Sequence, residues 1–151
     1  SASSILDRLR YPGPLRVSVP EGFAYYALHP LDYEDLVAGA PIDSLAAMVV
    51  GVRSIGTTLS AVVAAKLRQL SSRAGSRGVR DLGGARSNDE GSGVRRITVR
   101  PTGHPYDRQC AFDPAQRMRI ADALSAGAMF LVCDEGPGRS GSSLLSGAEA
   151  L

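Results

Sequence analysis

The run Phe130-Leu131-Val132-Cys133-Asp134-Glu135-Gly136-Pro137-Gly138-Arg139-Ser140-Gly141-Ser142-Ser143 gathers the residue types best able to do chemistry in this chain. Two adjacent carboxylates follow an apolar stretch directly, and glycines, a guanidinium and hydroxyls follow them. Glycine lets the backbone curl until successive amides converge on one anion. Ser140, Ser142 and Ser143 add hydroxyl donors, Arg139 adds a cation, and the start of a following helix adds a favourable dipole. Asp134 and Glu135 would repel such an anion, but they suit two neighbouring hydroxyls or a divalent cation. One short turn would therefore read a sugar diol at one end and its phosphate at the other. The bland alternative is a Gly/Ser surface turn that happens to contain two acids. A Walker A loop is excluded because no Gly-Lys-Ser/Thr is present. Gly136-Pro137-Gly138 also lacks the following glycine of a dinucleotide fingerprint.

A second glycine turn, Arg53-Ser54-Ile55-Gly56-Thr57, follows another apolar run. The loop Arg100-Pro101-Thr102-Gly103-His104-Pro105-Tyr106-Asp107-Arg108-Gln109-Cys110 is a third candidate. His104 offers an imidazole that titrates near neutral pH, Tyr106 a ring for stacking, and Arg108 a cation; the alternative is a polar loop with ordinary surface bonds. A Cys110–His104 nucleophilic pair lacks an orienting third residue. His29, just before Pro30, reads as a local capping residue. Phe23, Tyr25 and Tyr26 are candidates for a base-binding wall or for core packing. The cysteines and histidines lack zinc-site spacing, so no metal cluster is expected.

The elements that must position these residues alternate between strand and helix. Ala47–Val52 and Ala128–Cys133 are apolar runs of buried-strand length. Thr57–Leu70 carries Leu59, Val62, Val63, Lys66, Leu67 and Leu70 on one helical face, with Lys66 at the margin so that its charge stays wet. Val94–Arg100 alternates as an edge or half-buried strand does. Asp113-Pro114-Ala115-Gln116 opens a helix, with Asp at the N-cap, Pro at N1 and Gln at N3. That helix runs through Met118, Ala121 and Leu124 to Gly127, and Leu144–Leu151 starts another. Before them, Leu15–Val19 and Gly22–Leu28 read as short strands, Asp32–Val37 as one or two helical turns, and Ile42–Ala47 as a short helix. Residues 71–93 lose periodicity and read as an exposed, mobile insertion, and Pro101–Phe112 as a polar loop. The pattern predicts an α/β fold with a mainly parallel central sheet flanked by helices. Ligands would collect beyond the carboxyl ends of its strands, where both glycine turns lie.

Composition bounds these readings. The chain has 151 residues, 44% hydrophobic and 5% aromatic, which suits one domain with a real core. Seventeen basic residues against 15 acidic leave a net charge of +2, which argues against a nucleic-acid partner recognised through bulk charge. Two cysteines make no disulfide scaffold. No stretch is long and apolar enough for a membrane helix, and the opening residues lack a signal peptide. A cytoplasmic protein with no membrane partner is expected.

The acid-pair segment resembles the signature of the type I phosphoribosyltransferases: a hydrophobic strand, two acids and a small-residue loop that binds phosphoribosyl pyrophosphate. The resemblance spans about residues 47–151, as a phosphoribosyltransferase-like core. Residues 1–46 are then an irregular N-terminal segment, packed on the core or forming part of a substrate hood. By resemblance, Asp134 and Glu135 hold the ribose 2′- and 3′-hydroxyls, and Gly136, Gly138 and Arg139 to Ser143 (Arg139, Ser140, Gly141, Ser142, Ser143) cradle the 5′-phosphate. Val49-Val50-Gly51-Val52-Arg53-Ser54-Ile55-Gly56-Thr57-Thr58 looks like the pyrophosphate loop, with Arg53 its charged contact; in the family that loop often carries a strained peptide bond. The segment between the two turns would hold a flap over the reacting centre. Val19–Pro30 looks like the opening of divergent bacterial members associated with stress or tellurite-resistance systems.

The implied activity is transfer of a 5-phosphoribosyl group to a small nitrogenous acceptor with release of pyrophosphate. Arg53, Arg108 and His104 would lie near the leaving group, and Mg2+ would be bound mainly through pyrophosphate and ribose oxygens. The alternatives are a non-catalytic sensor of phosphoribosyl pyrophosphate or a nucleotide, and an RNA-interacting regulator on the same fold. Two departures stand out: glycine and proline follow the acid pair, and the chain ends at Leu151, where members continue through another helix and strand. The second fits a minimal protein, a fragment, or one module of a longer sequence; a homo-oligomer or a missing companion module is a further expected partner.

Overall fold

An unbroken apolar run needs cover on both faces, and Ala47–Val52 (β1) has it, with every residue buried. A computed structural model of the chain describes residues 14, 22–40, 42, 46–75, 93–136, 138 and 140–151. In it β1 is the middle strand of a three-stranded parallel sheet, between Val94–Val99 (β2) and Met129–Cys133 (β5). The register places Val50 beside Ile97 on one side and Val132 on the other. Two short strands, Thr102–His104 (β3) and Asp107–Gln109 (β4), form a separate antiparallel hairpin.

The side-chain alternation of β1 splits the core in two. Ala47 and Val49 join Val94 and Cys133 under Leu59, Val63, Ala64 and Leu67 of the helix Gly56–Gly75 (α2). Met48 and Val50 join Ile97, Val99 and Phe112 under Ile120 and Ala123 of Pro114–Ser125 (α3). The helix Ser142–Glu149 (α4) lies on this second face, with Gly147 against Val132 and Cys110. Pro30–Gly39 (α1) packs on α2, and Lys66 Nζ meets Glu34 Oε1 between them at 2.7 Å. The Lys66 charge is thus paired and only 15% exposed, where the sequence predicts it in water.

Cap chemistry sets the helix starts. Asp113 and Gln116 complete a reciprocal capping box, and His29 Nδ1 accepts the Leu31 amide at the start of α1.

Several expected elements are corrected. Gly22–Leu28 is no strand: Phe23–Tyr26 forms a 3-10 turn, closed by the Leu28 amide donating to the Phe23 carbonyl, because its backbone groups find local partners instead of a ladder. The helical turns predicted over Asp32–Val37 extend to Pro30–Gly39, and α2 runs past Leu70 to Gly75. Ala47, predicted to end a helix, opens β1. Pro101–Phe112 contains the hairpin. On α3, Met118 and Leu124 are exposed while Ile120 and Ala123 face the core. Leu15–Val19, residues 43–45 and most of the 71–93 insertion lie outside the described residues. Among the described residues, no helix is long and apolar enough to cross a membrane.

Candidate functional site

Because β1 and β5 are parallel, the turns that leave them emerge at the same edge of the sheet, side by side. Their approach is close enough to need glycine: a Cβ on Gly56 would overlap the Cys133 carbonyl. The Arg53–Ser54 peptide bond is cis.

The turn after β1 is largely committed to starting α2. The Thr57 amide donates to the Ser54 carbonyl, and the Thr58 and Leu59 amides donate to the Ile55 carbonyl. Ile55 is buried in the core, while Arg53 and Ser54 are exposed. The Thr57 carbonyl accepts from Arg96 Nη1 and the Ser60 hydroxyl.

The turn after β5 lines a cavity of about 300 Å³. Asp134, Glu135, Gly136, Gly138, Ser140 and Ser143 form one wall, and Pro105, Tyr106 and Arg108 of the hairpin form the other. The hairpin tip is tied across: the Ser140 and Ser142 hydroxyls each donate to the Pro105 carbonyl at 2.9 Å. Gly141 takes φ 68° at the N-cap of α4, a left-handed conformation that costs glycine nothing. Gly141 provides no side-chain cap, and the Ser142 amide donates instead to the Ser140 hydroxyl at 3.3 Å.

The acid pair is held unevenly. The Glu135 amide donates to Asp134 Oδ1 at 2.9 Å, and the Tyr33 hydroxyl of α1 donates to the Asp134 carbonyl at 3.0 Å. Burial, then a hydrogen bond and the charge of the Glu135 carboxylate, push the Asp134 carboxyl up to about 8. Near neutral pH the pair therefore carries one proton between two carboxylates. Glu135 Oε2 is buried with no hydrogen-bond partner. An acceptor atom in that position is a place for a ligand hydroxyl or cation. Burial, followed by the charges of Cys133, Asp134 and Glu135, also raises the Tyr33 phenol.

The residues expected at the site therefore separate. Asp134, Glu135, Gly136, Gly138, Ser140, Ser143 and Arg108 share one cavity, with Ser142 and Gly141 adjoining it. Arg53, Ser54, Ile55, Gly56 and Thr57 do not line it. Arg139 lies outside the described residues. His104 is exposed on the hairpin, its Nδ1 accepting the Tyr106 amide, and does not line the cavity. Cys110 meets the Ser146 hydroxyl at 3.4 Å instead of an imidazole. Burial and Asp134 raise Cys133 to about 11, which suits a core residue and not a nucleophile. Phe23 and Tyr26 pack against the core beneath α2.

Two contributors went unseen in the sequence. Pro105 acts through its carbonyl, which every residue has. Tyr33 lies 101 positions from the acid it supports, on a helix whose pattern gives no hint of that contact. No family model, curated protein or solved structure matches the chain.

Proposed function

We propose that this cavity binds a 5-phosphorylated ribose and that the chain is a phosphoribosyltransferase, with a phosphoribosyltransferase-like arrangement of its parallel sheet. One observation carries the reading. A single cavity is lined at one end by a proton-sharing acid pair and at the other by serines at a helix start, with Arg108 opposite. A furanose bearing a phosphate on C5 presents those features at the matching ends: two vicinal hydroxyls and a dianion.

The chemistry assigned to each residue follows from its state. Asp134, carrying the proton, donates to one ribose hydroxyl, while Glu135 accepts from the other through its unpartnered oxygen. Ser143 and the dipole at the start of α4 receive the phosphate. Arg108 stands where negative charge needs a counterpart, and Arg53 meets leaving pyrophosphate from the neighbouring turn. No group of three or more metal-ligating side chains occurs among the described residues. Mg2+, which takes few protein ligands and keeps substrate oxygens, would be held mainly through pyrophosphate and ribose oxygens. When bound, that ion supplies charge neutralisation on the leaving group. The chain's own share is positioning and electrostatics.

A non-catalytic sensor of the same ligand has one observation in its favour: no residue of the 53–57 turn lines the cavity. Titration with phosphoribosyl pyrophosphate and Mg2+, followed by assay of pyrophosphate release across a panel of nitrogenous acceptors, separates the two. Transfer gives release with some acceptor, whereas the sensor binds and releases nothing. Asp134→Ala, shown to be folded, is expected to weaken binding by roughly tenfold, the worth of a neutral hydrogen bond. Parental binding and turnover by that variant would remove the foundation of both readings.

A further inference from the structure

We propose that Tyr33 is a positioning residue for the diol end of the site: its hydroxyl fixes the peptide plane between Asp134 and Glu135, and that plane sets the direction of both carboxyls. This rests on the reading of the cavity as a phosphosugar site and names the residue that gives it a preference for the diol.

The peptide between the two acids is held at both ends. Its carbonyl, that of Asp134, accepts from the Tyr33 hydroxyl at 3.0 Å, and its amide, that of Glu135, donates to Asp134 Oδ1 at 2.9 Å. The C=O and N–H of a trans peptide point opposite ways in one rigid plane. Any turn of the carbonyl therefore swings the amide with it. Tyr33 fixes the carbonyl, the plane fixes the amide, and the amide fixes the Asp134 carboxyl. With Oδ1 engaged as an acceptor, the Asp134 proton is left to Oδ2, the oxygen free for a ligand hydroxyl. Glu135 leaves the same plane, with its Oε2 buried and unpartnered.

Tyr33 is suited to this task. It is half-buried on α1, its ring packs against the core, and an aromatic side chain fixed in this way carries its hydroxyl as a rigid handle. Burial, followed by the charges of Cys133, Asp134 and Glu135, raises the phenol above its ordinary 10.0, so it stays a donor through the neutral range.

The surroundings make that donor matter. Asp134 also borders a second cavity, of about 260 Å³, whose walls include Leu36, Val37, Val63, Leu131 and Leu144. Tyr33 brings the one hydroxyl among the described residues that line it. Without that hydroxyl the Asp134 carbonyl has an apolar neighbourhood on this side, and a buried acceptor lacking a partner is costly. It turns towards the wetter phosphosugar cavity and carries the amide off Oδ1. Tyr33 lines the second cavity and not the first, so the phenol acts through the peptide and not on the sugar.

Calorimetry on the full chain tests this, with ribose 5-phosphate and 2-deoxyribose 5-phosphate as probes of the parent, Tyr33→Phe and Val37→Ala, each shown to be folded. The parent is expected to prefer ribose by roughly tenfold, one hydrogen bond to a carboxyl. Tyr33→Phe keeps the ring and loses only the hydroxyl. It is expected to shrink that preference to below about threefold, while its affinity for the deoxy sugar stays within about twofold of the parent, because the phosphate end is untouched. Val37, buried on the same helix, supplies the control. Val37→Ala loosens the packing of α1 but keeps the phenol, so it should lower the melting temperature and retain the parental preference. If Tyr33→Phe keeps the full preference or weakens both sugars equally, or if Val37→Ala loses the preference as completely, Tyr33 is a packing contact only and the pocket reading stands. If the parent binds neither sugar, or binds both equally, the reading of the site fails and the positioning role falls with it.

Discussion

The two strand-to-helix turns at the carboxyl edge of the sheet are built alike and used differently. Both follow a parallel strand, both carry glycine, and they touch each other at Gly56 and Cys133. The 53–57 turn spends its amides and carbonyls on the start of α2, and buries Ile55 in the core. The 134–143 turn faces a hairpin that gives it a second wall, and it keeps two carboxylates inside. A glycine turn becomes a site when something stands opposite it. Here that something is an irregular excursion between β2 and α3.

The contrast can be broken most severely at Gly56. Gly56→Ala forces a Cβ into the Cys133 carbonyl, and backbone on both sides leaves little room to relax. A loss of about 3 kcal/mol is expected, read as a fall of roughly 10 °C in melting temperature. Gly138→Ala meets open space at φ 60° and should cost only about 1 kcal/mol, the left-handed penalty alone. Equal losses would mean that the turns do not differ in packing.

The next effect separates the two arginines. Arg108→Ala should weaken ribose 5-phosphate by roughly tenfold, since it removes the cation from the cavity wall. Arg53→Ala, on the turn that does not line the cavity, should change that affinity by less than about twofold. Reversal of this order would move the phosphosugar to the other turn.

A further effect is on stability against pH. Asp134 titrates at about 8 in the folded chain against an ordinary 3.8, so the folded state holds its proton more tightly. Stability from this group is full below about pH 4 and is lost as the pH rises towards and through about 8. Between about pH 5 and about pH 9 the parent should therefore lose more melting temperature than Asp134→Asn, whose amide does not titrate. Parallel curves would show that the acid pair does not share a proton.

One half of this site was legible in the sequence, and physical reasons separate the halves. β1 announces itself as an apolar run because both its faces are covered, β5 is an equally apolar run but only half-buried, and α3 is marked by the reciprocal Asp113–Gln116 cap. Two acids and a small-residue turn directly after β5 must then lie at the sheet edge. The opposite wall left no such trace. Thr102–His104 is exposed throughout and Asp107–Gln109 half-buries only the charged Arg108, so no alternation of polar and apolar residues marks them as strands. Tyr33 joins the site through a tertiary contact, and the aromatic content of Gly22–Leu28 mimics a strand while the backbone closes on itself.

The central claim is that the acid pair reads a ribose diol while the adjoining turn takes the phosphate. Calorimetric comparison of ribose 5-phosphate with 2-deoxyribose 5-phosphate tests it most directly. The two differ by one hydroxyl and share the phosphate. The deoxy sugar is expected to bind roughly tenfold or more weakly, because a buried carboxyl loses its partner, and Asp134→Ala should abolish the difference. Equal affinity for the two sugars in the parent protein would contradict the claim.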